Sequence, residues 1–362
     1  MILIFILTIA AMAYVGTSLS GSDIQTAKRI KTATALTQAK AALIGWSVSH
    51  YSMPGALPCP DSNNSGSAAS GCSANTALGR LPWKTLGIGD LRDDSGECLW
   101  YALSPVFRNT ISVNSRGGSQ PALNSTTSGS ITILNKDGTA LASPVIAVIV
   151  APGAPLAGQN RDSGGAVSIC GGTSTAADYL DSANGVNNAT GNHVSGSNNY
   201  TFAMADNSSS FNDSLIYITA EDLYQPLRKR IAAEIDGTSQ PTYGLVWYYN
   251  QAANHSYPWA ADATGTQQPG VVSGYVPNGD MNFTVSSLSS WLTNNGWFSL
   301  IRYQLGTDFQ PGTAYPQQCG SGCLTVRGQQ AQAAVMIVES GVTKWTTRVC
   351  STNGIVTSCP LL

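Results

Sequence analysis

The sequence predicts an α+β protein: a long N-terminal helix, hydrophobic and then amphipathic, packed on an antiparallel β-sheet head that repeats one helix-and-sheet unit. Three observations predict it. The first 22 residues carry no charge. No proline interrupts the following amphipathic stretch before Pro54. Beyond it, short apolar runs alternate with Gly, Pro and Asn turns in an order that recurs once.

The 362 residues are 43% hydrophobic but only 10% charged, against roughly a quarter charged in an ordinary soluble domain. With 18 basic and 20 acidic residues there is no stripe to neutralise a run of phosphates, so nucleic acid is not the main partner. Gly, Ser, Thr and Asn replace the missing charge, giving a neutral polar surface suited to packing among copies of itself.

The helix comes first. Met1 to Val15 is almost wholly apolar, and about twenty such residues span a ~30 Å hydrocarbon core. A secretory signal peptide would need a basic leading region and a small-residue cleavage site, and no Lys or Arg precedes the stretch. From Asp23 to His50, the residues Ile24, Ala27, Leu36, Ala39, Leu43 and Trp46 fall on or near one face. The whole run reads as one helix of about 75 Å, weakest at Gly16 and Gly21.

The head follows as two matching series. The first has a helix ending near His50, Gly79-Arg80-Leu81-Pro82, Leu99 to Leu103, a strand at Ile131 to Leu134, then Val145 to Val150, Pro152-Gly153 and Arg161. The second has a helix from about Ala220, His255 with Tyr257-Pro258, Gly274-Tyr275-Val276-Pro277, Leu300 to Leu305, Leu324 to Val326, Ala334 to Val338, Ser340-Gly341 and Arg348. In each unit the helix lies across a small antiparallel sheet, with Ile131 and Ile133, or Leu324 and Val326, on its apolar face. The second helix opens with an N-cap at Thr219 and carries the stripe Leu223, Leu227, Ile231 and Ile235. The expected organisation is a helix at 1–50 (1–22 transmembrane or filament core), a head unit at 51–161, an exposed Gly/Ser/Asn-rich insertion at 162–213, and a second unit at 214–362.

Eight cysteines and no Cys-x-x-Cys point to an oxidising compartment and away from zinc or haem. Short separations make Cys59–Cys72, Cys319–Cys323 and Cys350–Cys359 the most economical pairs, leaving Cys98–Cys170. Other connectivities satisfy the count equally well.

Chemistry is sparse. The sequence has no Gly-x-Ser-x-Gly, phosphate loop or His-Glu-x-x-His, so no enzyme is expected. His50 and His255 stand before the two proline breaks, where a structural role suits them. Calcium is the one candidate cofactor. Asp61, Asn63 and Ser65 alternate oxygen ligands before Gly66, and Asp90, Asp93, Asp94 and Glu97 form a second oxygen-rich group. The loop's twelfth position is Cys72 rather than a bidentate Glu, and turn formation explains the same residues. The tryptophans at 46, 83, 100, 247, 291 and 297 are expected in the core, and Trp259 or Trp345 could serve as a stacking platform.

The hydrophobic start, the unbroken amphipathic continuation and the cysteine-bearing polar head, with AKAALIGWSVSHYSMPGALPCPD followed by GRLPWKTLGIGDLRDDSGECLWYALS, resemble the type IV pilin and type II secretion pseudopilin superfamily, in particular large pilin-like proteins of Gram-negative bacteria. The resemblance implies a pilin-like head, which the repeated landmarks make two such units, and a structural subunit of an extracellular filament. It assigns the filament-core helix to Met1, Ile2, Leu3, Ile4, Phe5, Ile6, Leu7, Ile9, Ala10, Ala13 and Gly16. It implies a monomer in the inner membrane, a homopolymer outside the cell, and as partners a pilus or secretion assembly machinery and a prepilin peptidase. Two departures stand out. The fifth position is Phe5 where most members carry Glu, and no basic leader with its cleavage Gly precedes the helix, which reads as a processed form. Phe5 suits the alternative, a minor tip pseudopilin or adhesin that primes assembly or binds a surface or ligand. Lys28, Arg29 and Lys31 would favour a cytoplasmic head, and a removed basic leader would outweigh them.

Overall fold

The structure is a computed structural model and describes residues 21–162, 170–237, 242–283, 289–313, 320–326, 328–339, 342–352 and 355–359. The chain is mixed α+β with several small sheets. It folds as two compact units, one formed by residues 1–43, 59–105 and 130–218, the other by 44–58, 106–129 and 219–362.

Helix α1 (Gly21–Ser49) contributes its first part to unit 1 and its last turns to unit 2. It meets no glycine between Gly21 and Gly45 and no proline, so nothing breaks its hydrogen bonds. The buried positions are Thr32, Ala35, Leu36, Ala39, Leu43 and Ser47, spaced by three and four as one helical stripe. That stripe begins later than the sequence pattern indicates: residues 23–31 are all exposed, Ile24 at 47% and Ile30 at 60%.

Unit 1 contains β1 (Leu78–Arg80), β2 (Trp100–Leu103), β3 (Ile131–Leu134), β4 (Ala140–Val145), β5 (Ala147–Ala151), β6 (Ser182–Ala183), β7 (Val186–Asn187), β8 (Tyr200–Ala203) and β9 (Ser214–Ile218). An antiparallel sheet runs β1-β2-β5-β9. Both central strands, WYAL and AVIVA, are buried at every position, as continuous apolar runs covered on both faces should be. A second sheet runs β4-β3-β8. Here the expectation of purely antiparallel strands fails, because β3 pairs with β8 in parallel, Ile133 opposite Phe202. The expected exposed insertion also differs from its composition. Tyr179, Leu180, Tyr200, Phe202 and Phe211 are buried, because a few aromatics suffice to anchor a polar stretch on a ready-made sheet edge. Cys59 is bonded to Cys72 and Cys98 to Cys170.

Unit 2 contains α2 (Ala220–Asp236), α3 (Gly244–Gln251), β10 (Ser273–Tyr275), α4 (Ser289–Asn294), β11 (Ile301–Leu305), β12 (Leu324–Val326), β13 (Gln329–Ala331), β14 (Ala333–Glu339), β15 (Val342–Thr352) and β16 (Ile355–Cys359). Its sheet runs β10-β11-β14-β15-β16, antiparallel throughout, with α2 against β14 and β15. Leu223, Leu227, Ile231 and Ile235 are fully buried. Thr219 caps the helix by accepting the Asp222 N–H at 3.2 Å, while the Asp222 carboxylate accepts the Thr219 N–H at 2.8 Å. Gly237, at φ 77°, ends it. β12 and β13 form a separate ribbon in which Leu324 and Val326 are only half-buried, so they make no core face. Cys323 is disulfide-bonded. Its expected partner Cys319, and the side chains of Cys350 and Cys359, lie outside the described residues.

The backbone registers of the two sheets correspond. Gly79 stands opposite Tyr101, and Gly274 opposite Tyr303. Asp61 and Arg80 exchange two backbone hydrogen bonds, both 2.9 Å; Ala261 and Tyr275 exchange two, 2.9 and 2.8 Å. The N–H of Ser104 reaches the Ile146 carbonyl at 2.7 Å, and that of Gly306 reaches Gln332 at 2.8 Å. Ala147 lies opposite Ile218 as Ala333 lies opposite Val349. This last relation corrects one landmark. Arg348 sits within β15, whereas Arg161 lies in the loop after β5, and the strand in the position of β15 is β9, reached only after the long excursion.

Candidate assembly surface

The filament-core residues Met1 to Gly16 lie outside the described residues, and among the described residues no helix is long and apolar enough to cross a membrane. The described part of the candidate surface is therefore the first three turns of α1. The exposure of residues 23–31, with Ile24 and Ile30 uncovered, distinguishes them from the rest of the helix. Where α1 enters unit 1, Thr32 donates its hydroxyl to Asp94 at 2.9 Å and accepts the Asp94 N–H at 3.0 Å. Beside this contact is a groove of about 320 Å³, lined in part by Lys28, Arg29, Asp94, Gly153 and Asn212.

The candidate calcium ligands are placed but otherwise occupied. Asp61, 1% exposed, accepts the N–H of Asn63 at 3.0 Å through Oδ1 and of Gly66 at 2.6 Å through Oδ2. Asn63 in turn accepts the Ser65 N–H at 3.3 Å, so alternating oxygens organise a chain of turns rather than converging on an ion. In the second group Asp90 pairs with Arg92 at 2.7 Å, Asp94 holds Thr32, and Glu97 pairs with Arg161 at 3.1 Å. Asp93, fully buried, accepts from the N–H groups of Ser95, Glu97 and Gly153 at 2.9, 3.0 and 2.8 Å. Burial raises its pKa, and the three N–H bonds oppose that rise. Among the described residues no three His, Cys, Asp or Glu side chains stand together as a metal site. In these contacts the carboxylates brace the chain.

His50 follows α1, and its Nδ1 accepts the Met53 N–H at 3.2 Å. Burial, and then the charge of Arg230, lowers its pKa. His255 follows α3 with a left-handed φ of 49°. Of the expected core tryptophans, Trp100, Trp291 and Trp297 are buried, while Trp46, Trp83 and Trp247 are half-buried. Trp259 is half-buried rather than an open platform, and the side chain of Trp345 lies outside the described residues.

Two clusters carry no local sequence signal. Arg80, 1% exposed, lies between the rings of Trp100 and Tyr179, 4.4 and 4.0 Å from their centroids, and donates to the Cys98 carbonyl at 2.8 Å. Burial lowers its pKa, yet the flanking rings and Cys98 carbonyl hold the guanidinium in place. The second is the buried carboxyl pair Asp181 and Asp213. Only their shared Asp/Asn-rich surroundings could have drawn attention to them.

No protein-family model, curated protein or solved structure matches the chain.

Proposed function

We propose that the chain is a structural subunit of an extracellular type IV pilus-like filament, polymerising through its N-terminal hydrophobic helix. The observation that carries this reading is the asymmetry of α1. It follows an uncharged apolar run, residues 23–31 are all exposed, and from Thr32 onward one stripe enters the head. A helix so divided has a segment left for neighbouring helices and a segment that fixes the head. In such a bundle, small residues such as Ala10, Ala13 and Gly16 permit close helix approach.

In this proposal residues 1–22 reside in the inner membrane before assembly and move into the filament core on polymerisation. The corresponding registers of the two sheets support a head made of two duplicated pilin-like units, with α2 as the second unit's own helix. The role is non-enzymatic, and the partners are further copies, the assembly machinery and a prepilin peptidase. A minor tip subunit is the second reading, favoured by Phe5 at the position where most members of the superfamily carry Glu.

Negative-stain imaging of cells lacking the protein tests the choice. Loss of the filament body with other pilins present is expected; bare filaments of normal appearance overturn the subunit reading. A filament reconstruction with this chain repeating along the axis and residues 1–50 in the core would meet the stronger expectation.

A further inference from the structure

The long excursion between β5 and β9 is tied down by two carboxylates, each accepting from the other's segment. Asp213, just before β9, accepts the Asp181 N–H at 2.9 Å through Oδ2, and Asp181 accepts the Asn212 N–H at 2.7 Å through its own Oδ2. Asn188 donates to the same Asp213 oxygen at 2.9 Å, and Gln159 to Asp181 Oδ1 at 2.8 Å. Both side chains are nearly sealed from solvent, 5% and 6% exposed. Asp213 Oδ1 is buried without a hydrogen-bond partner among the described residues. Among the described residues the cation facing the pair is Arg161, whose guanidinium is already engaged by Glu97 at 3.1 Å, the Gly153 carbonyl at 2.8 Å and Gln159 Oε1 at 2.6 Å.

A buried carboxylate oxygen with no donor, beside a second carboxylate, is costly as an anion and much less so with a proton. We propose that Asp181 and Asp213 form a proton-operated latch that holds the Ser182–Ala203 segment on its sheet when Asp213 carries a proton and loosens it when both carboxyls are charged. A metal ion suits the place poorly, since among the described residues two carboxylates contribute and each already accepts a backbone N–H. Burial, followed by the neighbouring charge of Asp181, pushes the Asp213 carboxyl up to about 7, and burial also raises Asp181. A raised folded-state value means the native chain holds a proton that the unfolded chain releases near the ordinary carboxyl range. The latch is therefore complete at low pH, and its contribution is lost as pH rises toward and through about 7. This inference does not depend on the filament reading.

The experiment is hydrogen exchange by mass spectrometry on the full chain, corrected for intrinsic rates, comparing peptides covering 176–203 from about pH 5 to about pH 8. In the unmodified protein, protection is expected to fall at least about tenfold over that range, while Asp213→Asn, which keeps the acceptor but cannot ionise, holds its protection throughout. Equal pH dependence in the two proteins, or none in the unmodified one, overturns the proposal. Should Asp213→Asn fail to fold, carboxyl ¹³C titration of Asp213 in the unmodified chain decides: a midpoint near 7 supports the latch, and one in the ordinary carboxylate range overturns it. Protection restored at high pH by millimolar calcium and removed by EDTA would make the pair a cation site and also overturn it.

Discussion

Arg230 closes the carboxyl end of α1: its guanidinium donates to the His50 carbonyl at 2.9 Å and to that of Val48, from a position one face of α2 provides. The terminal carbonyls of a helix have no partner within it and carry partial negative charge, so a cation with several N–H donors satisfies both needs. The same side chain lies 5.6 Å from the Trp291 ring and 3.4 Å from Glu234, which accepts the Tyr243 hydroxyl.

Arg230→Ala is expected to lower stability by about 1–3 kcal/mol, read as a shift in the urea midpoint, because it leaves helix carbonyls without their donor. It should also raise the His50 pKa, since Arg230 is one of the two causes lowering it. The sign follows: a histidine held low in the folded state adds stability above its ordinary value of 6.5 that is lost as pH falls. The variant should lose less on acidification, and an NMR titration of His50 checks the cause directly.

Leu43 is fully buried and Ile30 is 60% exposed, though both lie on α1. Leu43→Ala should cost about 2–5 kcal/mol by leaving a cavity. Ile24→Asp and Ile30→Asp should leave the head's melting temperature within about a degree or two of the parent, yet reduce filament yield. Normal filaments from both exposed variants would count against the first turns of α1 as an assembly surface.

The two described bridges enclose 72 and 13 residues of sequence separation. On chain entropy alone, opening Cys98–Cys170 should cost about 4 kcal/mol and opening Cys59–Cys72 about 3 kcal/mol. Paired Cys→Ser variants melted without reductant measure each separately.

A Cβ at Gly79 would stand 2.6 Å from the Asp61 carbonyl oxygen, and one at Gly274 2.6 Å from that of Ala261. Gly79→Ala and Gly274→Ala should each destabilise by about 1–3 kcal/mol, since backbone rather than a flexible side chain must give way. Thermal melts of the two variants should show comparable losses; a neutral Gly274→Ala would break the correspondence between the sheets.

Strands made of continuous apolar runs, such as Trp100–Leu103 and Ala147–Ala151, and the i, i+4 stripe of α2 were legible because their signal lies within a few neighbouring residues. The order of glycine, strand and turn also exposed the recurrence of Gly79 and Gly274. Composition is ambiguous elsewhere. Asp, Asn, Ser and Gly are both calcium ligands and turn formers, and only the N–H groups found on Asp61 and Asp93 separate the two roles. The pairing of Asp181 with Asp213 spans 32 residues, and the parallel strand at Tyr200–Ala203 depends on β3, so neither follows from its own neighbourhood.

At Gly79 and Gly274 the constraint comes from a carbonyl oxygen of the main chain, which every amino acid supplies. Mutation of surrounding side chains cannot relieve it. The residues that follow these glycines, Arg80 and Tyr275, have nothing in common as side chains, while the glycine stands in the same register in each sheet. A very distant relative should be recognisable by that spacing between a chain crossing and a glycine long after ordinary sequence similarity has faded.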